Sequence, residues 1–96
     1  MAPSRVSATT TLRASDTVLL RQAGDETVLL DMSSEEFFGL DGAGARMYEL
    51  LAEPRSVDAV VDVMVHEYDV EREQLRADLL DLASELVERG LVVADE

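Results

Sequence analysis

The sequence predicts an α+β domain in which three short strands precede three helices. Segments rich in Val, Leu and Thr occupy much of residues 17–40, and apolar residues recur at helical spacing over much of 43–89. Strands grouped ahead of helices are typical of an α+β fold. The chain has 96 residues, 47% of them apolar, which suits one domain with a single modest core.

Residues 1–15 are expected to form a flexible N-terminal arm, and residues 16–96 the folded domain. The run "SATTT" within the arm has neither helical nor strand periodicity. The arm lacks the apolar centre of a signal peptide, and no stretch of the chain reaches transmembrane length. We therefore expect a soluble, cytoplasmic protein.

The first two strands, "TVLLRQ" (17–22) and "ETVLLDM" (26–32), are predicted to form an antiparallel hairpin. Both are rich in residues that favour strands, and the link "AGD" between them is short and contains glycine. A tight, glycine-containing connection between two such runs is the usual sequence pattern of a hairpin.

The segment "SSEEFFGL" (33–40) allows two interpretations. Ser33 followed by Glu36 fits a capping box that would open a helix. The aromatic pair and Gly39 are poor helix formers, so we predict instead a turn and a short edge strand over 36–40. Gly39 either admits the close approach of another backbone or permits a bend into the following helix, and the sequence leaves both open.

Three helices are predicted, over residues 43–52, 57–67 and 71–89. Asp41, Ser56 and Asp69 each stand where a side chain can cap the first turn of a helix. Gly90 stands where a glycine commonly ends one. The last residues, "LVVADE", are expected to form a short strand or a tail.

The third helix has an apolar core stripe and one further apolar flank. The stripe consists of Leu75, Leu79, Leu82 and Leu86. The flank consists of Leu80, Ala83 and Val87, together with Arg72 and Arg76. Either another part of the protein covers this flank, or it forms one wall of a groove for an apolar ligand.

The acidity of the chain argues against two classes of partner. Asp and Glu number 21 against 8 Lys and Arg, for a formal net charge of −13. A nucleic-acid-binding protein needs a basic stripe to neutralise phosphates, and this chain has only scattered arginines. The same charge would repel an anionic membrane surface.

No residue pattern indicates catalysis. The chain has no cysteine, and His66 has no second histidine with which to share a metal ion. Ser33 and Ser34 lack a partner base, and "GLDGAG" lacks the lysine and the spacing of a phosphate-binding loop. We predict no catalytic residue, no metal site and no cofactor, and we do not expect an enzyme.

Several motifs in this order resemble the PqqD-like family. They are "VLLD", "FFGLDGAGARMYELL", "SVDAVVDVMVHEYDV" and a long helix ending in "ERGLV", and the resemblance spans about residues 17–93. Asp41 stands where the family commonly has asparagine. Members of this family are recognition elements for precursors of ribosomally synthesised and post-translationally modified peptides (RiPPs). The resemblance implies a winged helix-turn-helix-like fold, with a three-stranded antiparallel sheet packed on three helices.

The resemblance also implies how a ligand binds. The leader segment of the precursor would add a strand to the edge strand and pack its side chains against the third helix. The expected strand contacts are Glu36, Phe37, Phe38, Gly39 and Leu40. The expected helix contacts are Arg72, Leu75, Arg76, Leu79, Leu80 and Ala83.

Within the family, the chain is most similar to the discrete recognition protein of lasso-peptide pathways, which works beside a separate leader peptidase. The PqqD protein of pyrroloquinoline quinone biosynthesis is the alternative. A winged-helix DNA-binding protein is disfavoured by the net charge, and a carrier or scaffold module that contacts only other proteins is a third possibility.

Overall fold

The computed structural model describes residues 6–95 and confirms the α+β class. Its elements, in chain order, are β1 (Thr11–Ala14), β2 (Val18–Ala23), β3 (Glu26–Asp31), β4 (Glu36–Leu40), α1 (Gly42–Leu50), α2 (Val57–Met64), α3 (Arg72–Glu88) and β5 (Val92–Asp95). Strands β2, β3 and β4 form an antiparallel sheet in that order, and β1 pairs with β5 in a second, two-stranded sheet. The predicted three-stranded sheet and three helices are therefore present.

Two tight turns set the register of the larger sheet. Gly24 has φ 67° between β2 and β3, a left-handed conformation that glycine adopts without steric cost. Glu35 has φ 62° between β3 and β4, and its N–H donates to the carbonyl oxygen of Asp31 at 2.7 Å. The second turn is also held by Asp31, whose carboxylate accepts from the N–H and the hydroxyl of Ser33 at 3.0 and 2.8 Å.

Helix ends follow the predicted caps in three of four places. Asp41 accepts from the N–H of Gly44 at 2.8 Å, and Ser56 accepts from the N–H of Ala59 at 3.1 Å. Gly90 ends α3 with φ 78°. The fourth prediction, a cap by Asp69, is wrong.

Helix α3 begins after Glu71, two residues beyond Asp69, and it has no side-chain cap. The N-cap residue directly precedes the first helical residue, and Glu71 rather than Asp69 holds that position.

The core lies between the larger sheet and the helices. Leu29 of β3 and Leu40 of β4 enter it from the sheet. The helices contribute Met47, Val57, Val60, Val61, Met64, Leu75, Leu79, Ala83 and Leu86, and Leu51 follows directly after α1. This arrangement leaves one edge of the sheet, β4, beside α3.

The N-terminal segment differs from the predicted flexible arm. Thr11–Ala14 form β1, and Leu12 is fully buried. The N–H and carbonyl groups of Leu12 exchange hydrogen bonds of 2.7 and 2.9 Å with Arg55. Ala8 is also buried, and Val6 and Ala14 pack against the core, so apolar side chains and backbone hydrogen bonds together anchor the segment. Residues 1–5 of the predicted arm lie outside the described residues.

Across residues 6–95, no helix is long and apolar enough to cross a membrane.

Candidate functional site

A groove of about 320 Å³ runs between strand β4 and helix α3. Its walls come from three elements. Strand β4 contributes Phe38, Gly39 and Leu40; the start of α1 contributes Asp41, Ala43 and Gly44; and α3 contributes Leu75, Asp78, Leu79 and Leu82.

Strand β4 has a free edge on the side of this groove, since within residues 6–95 it pairs only with β3. The N–H of Met32 donates to the carbonyl oxygen of Thr17 at 2.7 Å, on the side of β2. Backbone groups alternate in direction along an antiparallel strand, so the N–H of Asp31, one residue earlier, points toward β4. Asp31 pairs with Glu36, so these two residues form a hydrogen-bonded pair. Every second pair along the strands is bonded in the same way, and the N–H and carbonyl groups of Glu36, Phe38 and Leu40 therefore point to β3.

By the same alternation, the N–H and carbonyl groups of Phe37 and Gly39 point away from β3 to the free edge. These are the groups that an added strand would bond. The sequence left open which residues of the edge strand point outward, and the hairpin geometry decides it.

The side chains of β4 alternate between two faces. Phe38 is half-buried against the core, and the Arg89 guanidinium carbon lies 5.0 Å from the centre of its ring. Phe37 faces outward and is 72% exposed. A Cβ added at Gly39 would meet no atom within 4 Å, and the residue lies within the strand without a left-handed φ. Neither the packing of the protein nor a bend requires glycine there.

Gly44 allows α1 to lie close to the groove wall. A Cβ at this position would stand 2.8 Å from Cδ2 of Leu82 and 3.3 Å from Cδ2 of Leu40. Real Cβ atoms do not approach other atoms so closely, so a larger residue here would move Leu82. Glycine at position 44 thereby shapes the groove.

Of the residues predicted to contact the ligand from α3, Leu75 and Leu79 line the groove. Arg72 and Arg76 instead form ion pairs with α2, Arg72 with Asp62 and Arg76 with Asp58 at 2.8 Å.

Two further predicted contacts on α3, Leu80 and Ala83, lie on the same flank as these arginines and do not line the groove. Ala83 is fully buried, and Leu80 packs against the core. The apolar flank is therefore buried at Ala83 and partly buried at Leu80 and Val87 by the protein itself. Helical periodicity identifies the faces of a helix but not which neighbour packs on each.

Several groove residues were not predicted from the sequence. Leu82 was assigned only to the core, whereas Asp78 and the first turn of α1 were not considered as contacts. Asp78 shares a polar face of the helix with Gln74, Asp81 and Glu85, and such a face is equally typical of a solvated surface. A smaller hollow adjoins the groove and is lined by Glu36, Phe37, Phe38, Arg89 and Leu91.

The ionisable groups that are perturbed have structural roles. Burial raises the pKa of Tyr48 to about 12, and its hydroxyl donates to the carbonyl oxygen of Leu91 at 2.9 Å. Hydrogen bonds from Ser33 lower the pKa of Asp31 in the β3–β4 turn. Neither residue lines the groove, and residues 6–95 contain no cluster of three or more potential metal ligands.

The family of coenzyme PQQ synthesis protein D (PqqD) matches residues 26–92, most of the chain. The chain belongs to the PqqD family. The resemblance found in the sequence is thereby confirmed, and the matched residues include β3, β4 and all three helices. No curated protein matches the sequence.

Several solved structures share the fold of this chain. TbiB1, solved in complex with the TbiA(beta) leader peptide, is 33% identical, with a TM-score of 0.75 over 88% of this chain and 98% of its own. Lasso peptide synthetase B1, complexed with the leader peptide, is 28% identical, with a TM-score of 0.73 over 85% and 96%.

The PqqD part of Methylobacterium extorquens PqqCD, described as a functional, stand-alone RiPP recognition element, has the same fold. It has a TM-score of 0.81 over 96% of this chain and 98% of its own at 23% identity. The winged helix-turn-helix-like fold predicted for this chain is thus confirmed.

Proposed function

We propose that this protein binds the leader segment of a RiPP precursor, of the lasso-peptide class, without altering it chemically. The observation that carries the proposal is the free edge of β4 beside an apolar groove, which offers main-chain and side-chain contacts side by side. Two similar proteins were solved with leader peptides, which supports the same kind of ligand here.

The leader would bind as an additional strand. Its backbone would bond the N–H and carbonyl groups of Phe37 and Gly39, and alternate side chains would enter the groove against Leu75 and Leu79. Leu75 and Leu79 are 6% and 2% exposed, so the core fixes them at the floor of the groove, and the half-buried Phe38 and Leu82 offer more apolar surface beside them. Main-chain bonds would supply sequence-independent affinity, and the groove would select the side chains.

The bound leader would be presented to a separate leader peptidase and to a downstream modifying enzyme, in the cytoplasm where precursors are made. The groove offers no nucleophile or general base beyond the carboxylates of Asp41 and Asp78, which supports a role in binding only. A peptide chaperone of pyrroloquinoline quinone biosynthesis is the alternative, because the family match is to PqqD itself.

The test uses the precursor peptide encoded beside this gene. We expect calorimetry to detect binding of the full precursor and of its leader, but not of the core peptide alone. Mass spectrometry after prolonged incubation should find the precursor unchanged. Cleavage or modification by the purified protein would contradict a binding-only role, and failure to bind any neighbouring precursor would contradict leader recognition.

The neighbouring genes separate the two pathways. A transglutaminase-like peptidase and an asparagine-synthetase-like cyclase beside the gene would support the lasso assignment, and quinone-pathway enzymes would support the alternative.

A further inference from the structure

The groove has a carboxylate on its α3 wall. Asp78 lines the groove between the apolar residues Leu75 and Leu82, and its side chain is exposed. Its hydrogen-bond partner is the neutral amide of Gln74, at 3.0 Å. Asp41, the other charged residue of the groove, already accepts from the N–H of Gly44 at the start of α1. The groove therefore carries negative charge and, in its lining, no cation.

Within residues 6–95, no cationic side chain of the protein neutralises Asp78. The sequence has no lysine, and all its basic residues are arginines. The three arginines of α3 and its C-terminal end bond to other carboxylates: Arg72 to Asp62, Arg76 to Asp58 and Arg89 to Glu85. No arginine within residues 6–95 lies within salt-bridge distance of Asp78.

When a peptide covers the groove, the Asp78 carboxylate loses part of its favourable solvation free energy. While the groove is open, water solvates Asp78. A peptide strand lying against Leu75 and Leu82 would remove part of that water, and a desolvated charge without a partner is unfavourable. A cationic side chain on the peptide would restore the lost interaction, whereas a neutral or acidic one would not.

We propose that the peptide recognised here carries a Lys or Arg side chain that pairs with Asp78, next to the apolar side chain that fills the groove. This inference rests on the proposed function and adds a specificity determinant to it. Arg89 lies over Phe38, in the middle of β4, and lines the smaller hollow rather than the groove, about three helical turns along α3 from Asp78. A basic side chain of the peptide therefore suits the part of the groove beside Asp78 better than the part beside Arg89. The positions of Asp78 and Arg89 therefore predict both that the peptide has a basic residue and where that residue lies along the groove.

The test uses an mRNA-display library of random twelve-residue peptides, selected against the full-length protein. We expect wild-type protein to enrich peptides with Lys or Arg at a constant spacing from an apolar residue. Asp78→Lys should enrich Asp or Glu at that spacing. Asp81→Lys is the matched control, because Asp81 is exposed on the same helix but does not line the groove. It makes the same change in net charge and should keep the wild-type preference.

One enriched peptide then allows a charge-exchange experiment. Asp78→Lys should weaken its binding about tenfold, and replacing the basic residue of the peptide by Glu should restore much of that loss. General attraction between a cationic peptide and an acidic protein predicts equal losses for Asp78→Lys and Asp81→Lys. Equal losses would overturn the inference.

The outcomes distinguish this inference from the proposed function. Gly39→Pro removes an outward N–H of β4 and should abolish capture of the enriched peptides. If capture depends on Gly39 but shows no basic preference, the role of Asp78 is refuted while peptide binding at β4 stands. If wild-type protein enriches no peptide, or if Gly39→Pro captures them equally well, binding at the edge and the inference both fail.

Discussion

Gly44 is a residue at which a single added methyl group would change the shape of the groove. Gly44→Ala would bring a Cβ to 2.8 Å from Cδ2 of Leu82, and this flexible side-chain end would move. Alanine also favours the helix by up to about 1 kcal/mol over glycine, which offsets the crowding. We expect a small change in the free energy of unfolding and clearly weaker peptide binding.

Gly42→Ala is the matched control for this change, because it lies in the same helix and its added Cβ meets nothing within 4 Å. Urea denaturation and peptide titration should show unchanged binding for Gly42→Ala. Equal binding by the two variants would mean that Leu82 does not shape the bound peptide's site.

The stability that Asp31 gives to the β3–β4 turn depends on pH. Hydrogen bonds from Ser33 lower its pKa in the folded state, so the charged form stabilises the fold. This contribution is complete above the unfolded pKa of about 3.9 and is lost as the pH falls through the lower, folded value. Asp31→Asn should therefore lower the Tm at pH 7, and the difference from wild type should shrink below pH ~4. A difference in Tm independent of pH would contradict this.

At the scale of elements, strand β4 should respond to proline in an alternating pattern. Proline removes an N–H, and the N–H of Gly39 points to the free edge whereas that of Phe38 bonds to β3. Gly39→Pro should abolish peptide binding with modest loss of stability, and Phe38→Pro should destabilise the fold itself.

The control for the proline experiment is Gln22→Pro in β2, the opposite edge of the sheet. Its N–H also points away from β3. Thr17 and Met32 form a hydrogen-bonded pair, and bonded and non-bonded pairs alternate along the two strands, so Gln22 and Thr27 form a non-bonded pair. It should leave both stability and binding nearly unchanged. Binding by a folded Gly39→Pro variant at wild-type affinity would exclude strand addition at β4.

The elements show what the sequence could and could not predict. Strand β4 was predicted with the bounds that the structure has, because glycine and two aromatics at this site are incompatible with a stable helix. The groove wall on α3 was predicted on the flank of Arg72 and Arg76, which instead faces α2. Local patterns predict an element and its apolar faces, but the position of α2 depends on long-range packing that no local pattern contains.

At the scale of the whole molecule, strand β1 pairs with β5 and supports a part of the core that does not line the peptide groove. Leu12 is fully buried and bonds Arg55 through its backbone, while β1 pairs with β5 along four residue pairs. Leu12→Ala removes a buried leucine and leaves a cavity, so it should cost about 2–5 kcal/mol of unfolding free energy. Peptide affinity of the folded fraction should be unchanged, since Leu12 does not line the groove.

Arg13→Ala provides the control within the same strand, because Arg13 is partly exposed and its ion pair with Asp95 is a surface one. Such pairs contribute about 0–1 kcal/mol, so this variant should unfold near the wild-type urea midpoint. Peptide titration at a temperature where all variants are folded separates stability from binding. If Leu12→Ala unfolds at the same midpoint as Arg13→Ala, the N-terminal strand does not contribute to the fold. If it binds peptide more weakly while fully folded, the core around β1 is coupled to the groove through α3.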